Sequence, residues 1–160
     1  MRRFALLTSI LCLSLLAPVA HATGDVEMQV EHLLVQAIDE YNQGMEANDL
    51  AGWVKYFTDN VRRHSPVSDQ QGKQEFTDYY AWEFKNFKAK FVTKKIVVKG
   101  RNATMVFVWD AVPKPTGTPL QIEMVGVFEL ATSGRIESVS FFYDTAKTAK
   151  VFTEVTAAAK

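Results

Sequence analysis

The chain has a single cysteine, Cys12, and it sits inside the first apolar run. Everything downstream therefore lacks disulfide staples, cysteine-held metals and a thiol nucleophile, and must stand on its hydrophobic core. Histidine is nearly as scarce: His21, His32 and His64 are the full set, and none falls at the carboxylate–histidine spacing of a metal site. There is no Gly-rich phosphate loop and no G-x-S-x-G nucleophile elbow. Neither sign of charge is in excess, with 18 Lys and Arg against 18 Asp and Glu. Nothing in that balance favours nucleic acid or an anionic membrane as partner. These absences give an expectation of no metal, no cofactor, no nucleic-acid partner and no membrane anchor.

Residues 1–22 have the three-part layout of a secretory signal: Arg2-Arg3, the apolar run Phe4 to Leu16 with a Pro18 breaker, and Ala20-His21-Ala22 as an A-x-A cleavage site. The apolar stretch is shorter than the roughly 20 residues of a spanning helix, and Thr8, Ser9 and Ser14 dilute it. Ile10-Leu11 ahead of Cys12 are not the small residues of a bacterial lipidation site. Cleavage is thus expected between Ala22 and Thr23, with a periplasmic or secreted product. Removing 22 of the 160 residues leaves 138, the size of one domain. Removing Arg2 and Arg3 from the 18 basic residues leaves 16 against 18 acidic, a net charge of −2. No repeat or linker divides the rest, so 23–160 reads as one domain with its core at about 28–150. Asn102-Ala103-Thr104 fits the glycosylation pattern, which matters only in a eukaryotic secretory pathway.

Val30, Leu33, Leu34, Ala37, Ile38, Tyr41 and Met45 recur at helical spacing. Asn48-Asp49 ends that helix and caps a second, shorter one that buries Leu50, Trp53, Val54 and Phe57. Arg62 to Val67 is extended and pinned by Pro66. A third helix follows Gln71-Gly72, with Phe76, Tyr79, Tyr80, Phe84 and Phe87 along one face. From there the period changes to two: Phe91–Lys99 and Ala103–Val112 flank a Gly100-Arg101-Asn102 turn. Pro115 to Asp144 then forms two long strand-like runs hinged on Ser133-Gly134. The predicted architecture is α+β, a curved, mostly antiparallel sheet whose concave face is covered by three N-terminal helices.

Three segments carry a family likeness: Glu46 to Asn60 (EANDLAGWVKYFTDN), Gln71 to Tyr80 (QGKQEFTDYY), and the Pro115–Asp144 hairpin ending Phe-Tyr-Asp. In this order and spacing the chain resembles the SnoaL-like and ketosteroid-isomerase-like proteins of the nuclear transport factor 2-like superfamily. The resemblance implies a cone-shaped fold with a deep apolar pocket, and commonly a sheet-to-sheet homodimer. It also implies roles. Tyr41, eight residues before Asp49, matches the isomerase tyrosine that hydrogen-bonds a developing enolate, and Tyr80 matches its bracing tyrosine. The general base of that enzyme falls on Ser65, beside His64, and its second oxyanion acid falls on Gly126. With both carboxylates missing, steroid isomerisation is not expected. The Asp-Arg-Asp set of limonene-epoxide hydrolases is not found either.

Polar candidates are therefore Tyr41, His64 and Tyr80, and each has a plainer reading. Tyr41 fits the helical apolar stripe as a core residue, and a strand-end histidine such as His64 is often simply exposed. Alternation turns His64 and Ser65 to opposite faces, so at most one points inward. Glu83 lies at the centre of the aromatic face of the third helix. It is either an acid at the pocket rim with a raised pKa or, as the rarity of unpaired buried glutamate favours, a residue of a shallow helix that reaches solvent. Met105, Phe107 and Trp109 alternate inward, which turns Asp110 outward. The expected pocket lining is Tyr41, Trp53, Phe57, His64, Tyr80, Glu83, Trp109, Met124, Phe128, Phe141 and Tyr143. Val125 and Val127 fall on the outer face, where a homodimer would form. The function expected is enclosure of a small hydrophobic or aromatic molecule with little or no catalysis. The alternative is an interaction module whose pocket is filled by its own side chains.

Overall fold

The computed structural model describes residues 20–158. The predicted signal segment up to residue 19 lies outside them, and the junction Ala22–Thr23 falls in the first turns of helix α1, Ala20–Ala47. No helix among the described residues is long and apolar enough to cross a membrane. The inward stripe of α1 is the one its sequence sets out: Val30, Leu34, Ala37, Ile38, Tyr41 and Met45 are all buried. Asn48 ends the helix in the left-handed region at φ 55°. The chain then folds back so closely that Asp49 N–H donates to the Gly44 carbonyl at 2.9 Å. A Cβ at Gly44 would stand 2.2 Å from the Asp49 oxygen. Asp49 Oδ1 accepts the Ala51 N–H at 2.9 Å and starts α2, Ala51–Val54. This helix is a single turn, so Phe57, expected on it, opens strand β1 instead.

Six strands form one sheet in the order β2-β1-β6-β5-β4-β3: β1 Phe57–Ser65, β2 Ser68–Gln71, β3 Phe87–Lys99, β4 Asn102–Pro113, β5 Leu120–Leu130 and β6 Ile136–Tyr143. Strands β3 to β6 are the predicted antiparallel meander, and β6 then runs parallel to β1. The short hairpin partner β2 was not anticipated, because Ser68-Asp-Gln-Gln71 has none of the β-branched or aromatic content of a strand. Helix α3, Lys73–Asn86, packs against β1, β2 and β3 and buries Phe76, Tyr80, Glu83 and Phe84. Phe87, read as part of its face, is the first residue of β3. Burial alternates strictly along β4, with Met105, Phe107 and Trp109 inside and Asp110 turned out toward Lys90. Val125 and Val127 lie on the outer face, as the alternation requires.

A fourth helix, α4 (Thr145–Ala158), follows β6 and extends the fold beyond the expected boundary near 150. Asp144 Oδ1 accepts the Ala146 N–H at 2.9 Å, and Thr148 and Val155 are buried. Phe152 packs on Trp82, Phe87 and Trp109 at ring separations of 6.0, 5.8 and 6.4 Å. The helix thereby covers the open end of the cone.

The position corresponding to the isomerase's second acid has no room for one. A Cβ on Gly126 would stand 2.7 Å from Phe128 and 3.0 Å from Phe107, rings that are themselves fully buried. Gly126→Ala should cost about 1–3 kcal/mol through overpacking, read as a lowered urea midpoint. An unchanged midpoint would show that the two rings can swing aside freely.

Candidate functional site

An ionisable cluster sits within the aromatic core where α1, α3, β1 and β4 meet. Glu83 faces inward from α3 and is 5% exposed, which overturns the solvent-facing reading. The helix is not shallow: β1 flanks it, and α4 closes the adjoining end of the cone. The Tyr41 hydroxyl donates to Glu83 Oε1, and Trp109 Nε1 donates to the same hydroxyl at 3.2 Å. Burial pushes the Glu83 carboxyl pKa above its ordinary value, against the lowering effect of Tyr41 and of the nearby Arg63 charge. Burial, then the Glu83 charge, also pushes the Tyr41 phenol well up. Tyr41 thus orients an acid, and its proton is not directed at a ligand.

Arg63 enters the site from β1. Inward alternation of Val61, Arg63 and Ser65 buries the guanidinium to 5% exposure and turns Arg62 and His64 out. His64, expected in the lining, is instead an exposed side chain whose Nδ1 lies 2.6 Å from Asp69 Oδ1, its register partner on β2. Ser65 is the inward residue of the pair. Its hydroxyl donates to the Ser68 carbonyl at 2.9 Å and accepts the Ser68 N–H at 3.2 Å, so it serves the turn.

Only neutral acceptors hold the guanidinium. Arg63 Nη1 donates to Gln70 Oε1 at 2.7 Å and to Ser65 and Ser68 Oγ at 3.3 Å each. The Tyr79 ring centroid lies 3.8 Å away, with Phe141 at 5.3 Å. Arg63 Nε is buried without a hydrogen-bond partner. Among the described residues no carboxylate forms an ion pair with it. Burial works against its charge, but Tyr79, Tyr80 and Glu83 more than offset that, and its pKa stays above the ordinary value.

Arg63, Tyr79, Tyr80, Glu83, Phe91, Trp109, Ile122, Met124, Phe141, Tyr143 and Phe152 line one cavity of about 20 Å³, room for the centre of roughly one water. The expected residues Tyr80, Glu83, Trp109, Met124, Phe141 and Tyr143 are brought together there. Tyr41 lies behind the wall, bonded to Glu83. Trp53, Phe57 and Phe128 belong to the solid core and do not reach the cavity. Tyr80 is buried against Trp53 and Tyr41, and desolvation raises its phenol pKa. Arg63 and Phe152 line the cavity from outside the expected set. The Val61-Arg63-Ser65 alternation signalled the first, and the helical spacing of Thr148, Phe152 and Val155 the second. Among the described residues no three His, Cys, Asp or Glu side chains converge as a metal site.

Residues 38–139 match the profile of the SnoaL-like domain. The chain belongs to the SnoaL-like family. Among solved structures it is similar to a protein of Jannaschia sp. CCS1 provisionally named a SnoaL-like polyketide cyclase: TM-score 0.66, 20% identity, over 78% of this chain and 94% of that one. SalBIII, an epoxide hydrolase/cyclase-like enzyme of pyran ring formation in the polyether salinomycin, aligns with TM-score 0.68 and 19% identity over 76% and 95% of the two chains. An NTF2-like protein of unknown function from Burkholderia pseudomallei K96243 gives 0.63 and 15% over 74% and 95%. At such identities these likenesses establish the shared fold. No curated protein matches the sequence.

Tyr41→Phe should leave Trp109 Nε1 without its acceptor and remove one of the donors to Glu83, and cost about 1–3 kcal/mol of folding stability, checked by chemical denaturation. A cost near zero would mean the hydroxyl is not bridging them. Glu83 also makes stability depend on pH. The folded state keeps its proton above the ordinary value of 4.5, so this group's stabilisation is full below that value and is lost as pH rises through the folded pKa. Glu83→Gln cannot ionise, so its stability relative to wild type should climb with pH, by at most about 1.4 kcal/mol per unit. Parallel stability curves would contradict the assignment.

Proposed function

We propose that the chain binds a small, largely apolar or aromatic molecule in the cavity between Arg63 and Glu83, with Glu83 as its acid–base group, in an exported, homodimeric protein. One observation carries the reading: a carboxyl and a guanidinium, each 5% exposed, line the same cavity in an otherwise aromatic core. A core filled only for stability gains nothing from two such groups, since desolvating each is costly. Any chemistry is of the proton-transfer kind that the isomerase and cyclase resemblance implies, with Glu83 rather than Ser65 as the exchanging group. The steroid isomerase pattern stays absent at Ser65 and Gly126.

The size of the cavity favours a second reading. Ligand sites run to about 300 Å³ or more, whereas Phe152 and its neighbours leave about 20 Å³ here. An interaction module with a self-filled pocket would look like this. The two readings separate on Phe152→Ala, which removes the ring from the open end of the cone. If the site takes ligands, a thermal-shift screen of apolar and aromatic compounds should give stabilisers that bind this variant more tightly than wild type. If the space is only core, the variant should lose stability, though less than the roughly 3–5 kcal/mol of a fully buried phenylalanine because Phe152 is half-buried, and no compound should restore it.

The homodimer rests on the outer sheet face, where Val106, Val125 and Phe142 are direct cross-strand neighbours and Val127 adjoins them. Phe142 is 50% exposed and Val127 36%. Sedimentation should show a dimer at micromolar concentration, and Phe142→Lys should shift it to monomer. A wild-type monomer at high micromolar concentration would count against it.

A further inference from the structure

We infer that the molecule taken up by this cavity is an anion, an aryl or alkyl carboxylate whose charged end is received by Arg63. The inference rests on the small-molecule reading of the same cavity and adds the ligand's chemical class. A guanidinium has five N–H donors and no acceptor. Here Nη1 meets only the neutral oxygens of Gln70, Ser65 and Ser68, and Nε is buried with no partner. A buried cation without a counter-charge is expensive, and proteins normally supply an ion pair or a bound anion.

The nearby internal carboxyl, Glu83, favours the Arg63 charge through space but makes no ion pair with it. Glu83 is hydrogen-bonded to Tyr41, and no carboxylate among the described residues pairs with Arg63. A carboxylate entering the cavity would meet the guanidinium that lines it, in the planar geometry that suits arginine better than lysine, and would supply acceptors to the unpartnered Nε, now closed to solvent, as the pocket opens around it. The flanking surfaces fit the rest of such a molecule: Phe141, Trp109, Met124 and Ile122 are apolar, and Tyr79 already stacks on the guanidinium. The β1–β2 hairpin fixes the arginine, since Gln70 and Ser68 belong to β2. The seat for the anion is therefore built into the sheet and does not depend on a mobile surface side chain.

Matched pairs of probes test this: phenylacetate with phenylacetamide, 2-naphthoate with 2-naphthamide, and octanoate with octanamide. Each is titrated by calorimetry into wild type and into Phe152→Ala, which lacks the ring at the end of the cavity. At least one carboxylate should bind tenfold or more tightly than its amide. In Arg63→Met that preference should collapse to about onefold, and Arg63→Lys should retain part of it. Because Arg63 ties the hairpin together, Arg63→Met is first checked for a cooperative unfolding transition. If it fails to fold, the preference in the two arginine proteins and its reduction in Arg63→Lys decide the matter. Amides that bind as well as carboxylates would overturn the anionic class and leave the small-molecule reading standing. A preference unchanged in Arg63→Met or Arg63→Lys would overturn the role of Arg63. No binding by any probe to either wild type or Phe152→Ala would overturn both inferences together.

Discussion

The hydrogen bond from Tyr41 to Glu83 joins helices α1 and α3, and Trp109 ties both to the sheet by donating to the same hydroxyl. Three layers thus meet on one oxygen. Around it the packing is almost wholly aromatic: Tyr41 contacts Trp53, Tyr80, Phe84 and Phe91 at ring separations between 4.4 and 6.2 Å. Such a shell excludes water, which strengthens the polar contacts inside it and makes any unpaired group there costly. This is why the tyrosine that a family likeness would cast as a ligand donor is engaged by the protein, and why the acid beside it holds its proton more firmly than an exposed glutamate.

The same constraint decides what the cavity is. Glu83 has its partner within the fold, whereas Arg63, two residues before the position of the missing base, has only neutral ones. One buried site therefore holds an acid whose pKa is raised by burial and a cation that no carboxylate among the described residues contacts directly. Phe152 closes it, carried by a helix that buries only Thr148 and Val155. Few buried contacts hold α4 down compared with α1, whose inward stripe runs over most of its length. Segments with little buried apolar surface open most readily, and α4 has less of it than α3, which buries Phe76, Tyr80 and Phe84.

Much of this fold was legible in the sequence because periodicity carries it. The α1 stripe from Val30 to Met45, the β4 alternation from Met105 to Trp109, and the Ser133-Gly134 hinge all appear where pattern and turn chemistry place them. The failures have local causes. β2 is a polar strand defined by its partner β1, and α4 is so rich in alanine and threonine that its stripe of Thr148, Phe152 and Val155 is a weak signal. In the site, alternation settled that His64 and Ser65 face opposite ways but not which faces in, a question of register with β6 and β2. The burial of Glu83 is hidden in the sequence for a different reason. Base expectation puts lone glutamates in water, and the partner that keeps this one inside is 42 residues away on another helix.

Direct observation of the Glu83 carboxyl tests the account at its centre. In ¹³C-labelled protein its carboxyl signal is the one lost in Glu83→Gln, and it can be followed across the pH range in which the fold persists. That signal should titrate distinctly above the ordinary glutamate value of 4.5 and move higher still in Tyr41→Phe, where the bond favouring the ionised form is gone. A Glu83 signal titrating at the ordinary value, or one indifferent to the loss of the Tyr41 hydroxyl, would contradict it.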